Sequence, residues 1–289
     1  MLAVFRRELK AYFNSPLGFA FVGFFILLSG IFFSISNLLQ SNPNYTGLLQ
    51  TFTFIFMFLV PILTMRLLSD DAKQKTDQLL ITSPLSVPAI VVGKYLAAMA
   101  VFLIVILITV LYPVIMSFYS LGGLAWWEIL GGYIGFFLLG AAFIAVGLFF
   151  SSTTDNQMIA AVETYATLLV IWILEYVANA IPGTALAGLV FLVIVGGGLV
   201  ALVYFSTKNT IVTAATIVVV AAVAVLAYLF EQGVLAGLPA SVLGWFSLMK
   251  RYNDFTLGVL GLSPIVYYIS FAAAFVFLTI RMIEKRRWA

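Results

Sequence analysis

RRELKAYFNSPLGFAFVGFFILLSGIFFSISNLL, residues 6–39, decides the class of this chain. Arg6, Arg7 and Lys10 open it, Pro16 interrupts it, and no charged residue follows from Leu17 to Leu39. A helix rising 1.5 Å per residue crosses the roughly 30 Å of bilayer hydrocarbon in about 20 apolar residues, so 17–39 is long enough to span. It is also longer than the roughly 7–15 residues of a signal-peptide core, and no small-residue cleavage site follows it.

Working outward, apolar runs recur at 50–68, 91–117, 129–150, 157–180, 185–205, 210–230 and 263–281. The expectation is an all-α polytopic membrane protein of eight spans, with one membrane domain over 1–289. When the polar breaks are assigned alternately to two sides, twelve of the fourteen Lys and Arg fall on one side. They are Arg6, Arg7, Lys10, Arg66, Lys73, Lys75, Lys94, Lys208, Arg281, Lys285, Arg286 and Arg287, and only Lys250 and Arg251 land opposite. Lys and Arg in short loops stay cytoplasmic, so the expectation is a cell-membrane protein with both termini in the cytoplasm. Composition agrees: 64% of residues are hydrophobic and 9% charged, against about a quarter charged in soluble domains. The net charge of +3 sits at span ends, where it sets topology and offers no nucleic-acid surface. The chain has neither Cys nor His. Thiolate chemistry, disulfides, the usual general base and the commonest metal ligands are thereby excluded.

Between the spans, four segments stand out. Residues 1–14 place Leu2, Phe5, Leu9 and Phe13 at helical spacing with basic residues around the rest of the helix, the pattern of an interfacial helix or of a purely topogenic segment. The cytoplasmic stretch 69–88 starts with Ser69, read as a helix cap, and puts Asp70 and Asp71 in the first turn, where negative charge is favoured. Lys73, Lys75 and Asp77 follow, then Leu79 and Leu80. Such a helix, 69–82, either docks into a groove on a cytoplasmic partner or is an ordinary solvated loop helix. In SSTTDN, 151–156, Thr154 or Asp155 is the expected N-cap of the next span. The outer segment 231–262 reads as short amphipathic helices, interfacial or partly re-entrant, since backbone at that depth must satisfy its own hydrogen bonds.

Few residues carry chemistry. Glu163 and Glu175 lie in span five. A carboxylate at mid-membrane costs about 2.5–3.5 kcal/mol on the most forgiving scale, so each is a candidate for a substrate path or subunit interface, with a helix–helix hydrogen bond as the alternative for Glu163 and an interfacial position for Glu175. Twelve positions separate them, about 120° around a helix, so they do not share a face. Gly131 and Gly135 form a G-x-x-x-G that permits close helix approach, within one subunit or between two. In the outer segment 240–258, Trp245 is either an aromatic anchor or, with Lys250, Arg251 and Asp254, which break the one-sided basic bias, part of an extracytoplasmic gate or partner surface, the gate being what the family resemblance given below implies. No P-loop is present: the only Gly-Lys, Gly93-Lys94, has Pro88 where the first glycine of G-x-x-x-x-G-K must stand.

TMRLLSDDAKQKTDQLLITSPLSVPAIVVGKYLAA (64–98) resembles the connection between the second and third spans of ABC-2 type transporter permeases. RRELKAYFNSPLG (6–18), GGYIGFFLLGAAFIAVGLFFSSTTDNQ (131–157), RYNDFTLGVL (251–260) and YYISFAAAFVFLTIRMIEKRRW (267–288) are similar to the same family in the same order. The likeness covers 1–180 and 240–289 and is nearest the gliding-motility-associated subgroup, itself similar to copper-processing permeases of nitrous oxide reduction operons. It implies a non-catalytic permease subunit driven by a separate ATPase, which would bind ATP and Mg while this chain binds no cofactor. It implies an interfacial elbow at 1–14, a coupling helix at 69–82, and a second, smaller ATPase contact at the 151–156 turn, including Thr153 and Asp155. Two ATPase copies, a second permease copy or a paralogue, an extracytoplasmic auxiliary protein, and export are the further implications. The departure is 181–235, a helical pair added to the six-span pattern. Two rival readings are a membrane scaffold for an extracytoplasmic complex and a proton-coupled carrier using Glu163.

Overall fold

The computed structural model describes residues 1–74, 86–119, 123–230 and 232–288. Among the described residues every regular element is helical. Among the described residues eight helices are long and apolar enough to cross a membrane, as the sequence predicts, and a broken pair at 233–256 would make a ninth if it counts as one span. By proximity the chain divides into two compact units, Met1–Val170 with Arg251–Ala289, and Ile171–Lys250.

In the first unit, α1 (Leu2–Asn14) is amphipathic and ends at Ser15, ahead of Pro16. The proline occupies the first position of α2 (Pro16–Phe33), where its missing N–H costs nothing. A π-helical turn, Ser34–Leu39, completes that span. Next, α3 (Tyr45–Thr64) is capped by Asn44, whose Oδ1 accepts from the Gly47 amide. A short α4 (Ser69–Lys73) follows, then α5 (Val87–Thr109), α6 (Leu111–Tyr119) and α7 (Trp126–Thr153). The helix α8 (Gln157–Ala180) runs through the division between the units.

Phenylalanines hold this unit together. Phe25 of α2, Phe52 and Phe56 of α3, Phe102 of α5 and Phe136 of α7 are all fully buried. Phe56 stacks on Phe102 at 4.0 Å, and Phe136 meets Phe102 edge-on at 5.2 Å. Lipid tails are as apolar as leucine, so spans associate through packing rather than through expulsion of water. Aromatic interlock of this kind, at about 0.5–1.5 kcal/mol per pair, therefore matters more here than in a soluble core. Outward-facing residues such as Phe19, Leu27, Leu107 and Val162 stay exposed, the face a bilayer requires.

The second unit holds α9 (Ala185–Thr207), α10 (Thr210–Phe230), α11 (Gln232–Phe246) and the start of α12 (Leu248–Thr256). Gly188 of α9 lies against the Leu235 backbone, and Gly196 faces Val220. The turn joining α9 to α10 is two residues, Lys208 and Asn209. Lys208 takes a left-handed conformation there, φ 49°, and its amide closes on the Tyr204 carbonyl at 2.9 Å. Finally, α13 (Leu262–Trp288) returns to the first unit.

Candidate functional site: a charged node at the start of the loop helix

The described part of 69–82 is α4 alone; Lys75, Asp77, Leu79 and Leu80 lie outside the described residues. Its first turn carries Asp70 and Asp71, as the helix dipole favours. The capping differs from expectation. Leu68 is the N-cap, Ser69 lies inside the helix, and its hydroxyl turns back to donate to the Met65 carbonyl. The cap is supplied from another span. Ser151 Oγ, at the end of α7, accepts from the Leu68 and Ser69 amides at 2.9 and 3.1 Å and donates to the Met65 carbonyl at 3.1 Å. Physically, Ser69 is wholly buried and too close to its own preceding turn to reach forward, whereas Ser151 approaches the open amides end-on.

Asp70 is a hub. Its carboxylate accepts from Arg66 at 3.0 Å, from Gln74 at 3.1 Å and from Gln157 of α8 at 2.9 Å. Asp71 points the other way, to Lys94 of α5 at 2.8 Å. Lys94 also reaches Glu8 of α1 at 3.0 Å, and Glu8 in turn meets Arg7 at 2.6 Å. The Lys94 side chain is only 2% exposed, so this ion triad operates where water screens little and charges must be paired. Tyr12 of α1 adds a bond, its hydroxyl donating to the Leu63 carbonyl at 2.7 Å. Burial pushes the Tyr12 hydroxyl well above the usual tyrosine range, Glu8 adds to the rise and Arg66 opposes it. The hydroxyl therefore stays a donor at any working pH. A cleft of about 360 Å³ opens between α1, the end of α3 and α4, lined by Tyr12, Leu63, Arg66, Asp70 and Lys94 among others.

The second expected contact, 151–156, lies beside this node. Thr153 Oγ1 donates to the Phe150 carbonyl at 2.8 Å and to Glu163 Oε2 at 3.2 Å. Arg286 of α13 donates to the Thr153 carbonyl at 2.9 Å and to Asp155 at 3.4 Å. The N-cap of α8 is Asn156, in place of Thr154 or Asp155: Asn156 Oδ1 accepts from the Met158 amide at 2.9 Å, while Thr154 Oγ1 is taken by the Asn156 amide. One short helix thus bonds to α5, α7 and α8 and is linked to α1 through the shared Lys94, while α13 ties down the neighbouring turn. Lys73 points outward, exposed.

The other candidates are dispersed. Glu163 is half-buried in the first unit, with the Thr153 hydroxyl as its partner; Glu175 is half-buried in the second. Trp245 is exposed, edge-on to Phe246 at 4.9 Å. The outer segment forms two helices broken at Ser247, whose hydroxyl accepts from the Lys250 amide at 3.1 Å. Lys250 and Asp254 are exposed. Arg251 lies with its guanidinium 3.5 Å from the centre of the Tyr267 ring, a cation–π contact to α13. The G-x-x-x-G of α7 serves packing within the chain. A Cβ on Gly131 would meet the Phe255 carbonyl oxygen at 2.6 Å, and one on Gly135 the Phe255 side chain at 2.6 Å, so these glycines seat α12.

Sequence reading missed Glu8, Tyr12, Lys94, Ser151 and Gln157 as members of the node. Lys94 offered a signal. It lies seven residues inside α5, a full two turns deeper than a topogenic charge needs to be. Among the described residues no cluster of acids could hold a metal ion.

A sequence profile described as ABC-2 family transporter protein matches residues 4–188. The chain belongs to that family. None of the curated proteins matches it. The family likeness expected at 6–18, 64–98 and 131–157 falls inside the matched range, and 240–289 falls outside it. As an ABC-2 family member with eight candidate spans, the chain is a multi-pass membrane protein and a permease component of an ABC transporter.

Proposed function

We propose that this permease is the passive, non-catalytic half of an ATP-driven exporter in the cell membrane, with both termini cytoplasmic, moved by a separate ATPase that grips 69–82 and touches the 151–156 turn. One observation carries the reading: the start of the loop helix is tied by Asp70 to α8, by Asp71 to Lys94 of α5 and through that lysine to α1, and by the Ser151 hydroxyl to α7. A push on that helix reaches the elbow α1 and spans α5, α7 and α8 without a flexible link between them. Rigid-body alternation of the spans needs such an input. ATP and Mg would reside on the ATPase, present in two copies. A second permease copy or a paralogue would complete the path. The likeness to gliding-motility-associated permeases supports an extracytoplasmic auxiliary protein as a further partner, with 240–258 as its surface or as an outer gate.

The test is co-purification in mild detergent. The native chain should bring down a P-loop ATPase, and a chain with Asp70, Asp71, Lys73, Lys75 and Asp77 neutralised should lose permease-dependent ATP hydrolysis. An isolated chain that moves substrate with no ATPase present would overturn the proposal. Neither rival reading gains from the geometry, since Glu163 accepts a hydrogen bond from Thr153 and lines no cavity described above.

A further inference from the structure

The cleft beside α1 has a composition that coupling does not explain. Its walls carry three basic side chains, Arg7, Arg66 and Lys94, and three acidic ones, Glu8, Asp70 and Asp71, so its formal charge is zero. Its floor is apolar: Leu17, the second residue of α2, and Ile62 and Leu63, in the last turn of α3. The cleft therefore straddles the level where the first two spans leave the hydrocarbon. At about 360 Å³ it falls in the range of ligand sites, roughly 300–1,000 Å³. Arg7 and Arg66 keep much of their surface open, 52% and 38%, although each holds one carboxylate. A guanidinium has five donors, and one carboxylate does not use them all.

We propose that this cleft binds the headgroup of a zwitterionic phospholipid of the phosphatidylethanolamine type, taken from the inner leaflet. Arg66 and Arg7 bind the phosphate as charge-assisted donors. Asp70 and Glu8 receive the ammonium. The acyl chains leave past Leu17 and Ile62 into the bilayer. Charge balance selects the class. An anionic lipid would bring its negative charge against three carboxylates, and a cationic amphiphile would meet three cations. The apolar floor selects a lipid over a soluble phosphoammonium compound. The site makes the hold of α1 on α3 and α4 dependent on headgroup chemistry. It needs membrane insertion but does not rest on the ATP-driven reading.

The experiment is native mass spectrometry of the full-length chain released from nanodiscs of equal phosphatidylethanolamine and phosphatidylglycerol. The wild type is expected to retain one phosphatidylethanolamine per chain, in preference to phosphatidylglycerol by about tenfold, the worth of one charge-assisted hydrogen bond. Arg66→Gln should reduce that retention by a similar factor. Ala11→Trp fills the cleft from α1 without touching a charge and should abolish it; this variant keeps the test decisive if Arg66→Gln fails to fold. Equal retention of the two lipids overturns the proposal, as does unchanged retention in Ala11→Trp. Displacement by free glycerophosphoethanolamine at millimolar concentration would also overturn it, by showing that the occupant is a soluble headgroup and not a lipid.

Discussion

Replacing Lys94 by Met is the sharpest test of the charged node. The substitution keeps the length of the stem and removes one cation that lies 2.8 Å from Asp71 and 3.0 Å from Glu8. Breaking a buried ion pair from one side costs about 3–5 kcal/mol, chiefly because a charge is left behind without its counter-charge. The two carboxylate side chains are 21% and 14% exposed, and Glu8 keeps Arg7, so water and Arg7 absorb part of the loss. The lower end, about 3 kcal/mol, is the expected cost. That corresponds to roughly a 150-fold shift toward undocking of α1 and α4. Amide hydrogen exchange in detergent reads it directly: protection of 2–14 and 69–74 should fall by about two orders of magnitude, while the phenylalanine-packed middle of α3 and α7 should change little. Adding Asp71→Asn to Lys94→Met removes the stranded charge and should restore most of the protection, a coupling that a simple packing defect would not produce. Unchanged protection in Lys94→Met, or strictly additive losses in the double variant, would refute the idea that the triad fastens these helices.

Further expectations follow from single contacts. Ser151→Ala removes the acceptor shared by the Leu68 and Ser69 amides, costing about 1–3 kcal/mol of local stability for buried donors left unmet, and should weaken ATPase retention on co-purification. Gly131→Ala drives a methyl against the Phe255 carbonyl oxygen; because backbone cannot swing aside as a side chain can, about 1–3 kcal/mol is expected, visible as a lower melting temperature and as faster exchange across 248–256. Glu163→Gln should leave ATP-driven turnover within a factor of about two, since an amide oxygen of the same shape still accepts from Thr153; abolished turnover would argue for a proton role instead.

The fold was legible because membranes impose a coarse grammar. Span length, span number and the one-sided basic residues all come from the cost of placing polar groups in hydrocarbon, and that cost acts on each segment separately. The same locality explains what was missed. A local reading of caps points to Ser69 for the loop helix, whereas the acceptor used is Ser151, more than 80 residues away in the chain; at the next span the cap moves only one or two residues, from Thr154 or Asp155 to Asn156.

Lys94 shows why a topology rule conceals mechanism. A basic residue at the inner end of a span is accounted for by the positive-inside bias, and the explanation looks complete. Yet topogenic lysines only need to reach water, and long stems allow them to do so from some depth. Lys94 does the opposite: it is 2% exposed and turns to two carboxylates on two other helices. Its position two turns inside α5 makes the loop helix, the elbow and a span share one cation. A charge that were merely topogenic could be moved one turn along the helix with little consequence. Moving this one toward the cytoplasmic end of α5, to a half-buried position, by the pair Lys94→Leu and Ala89→Lys would keep the basic count of that loop, and so the orientation, while stranding Glu8 and Asp71. Topology intact with the elbow undocked is the signature that separates the two roles, and it would be read by combining loop-tag accessibility with exchange at 2–14.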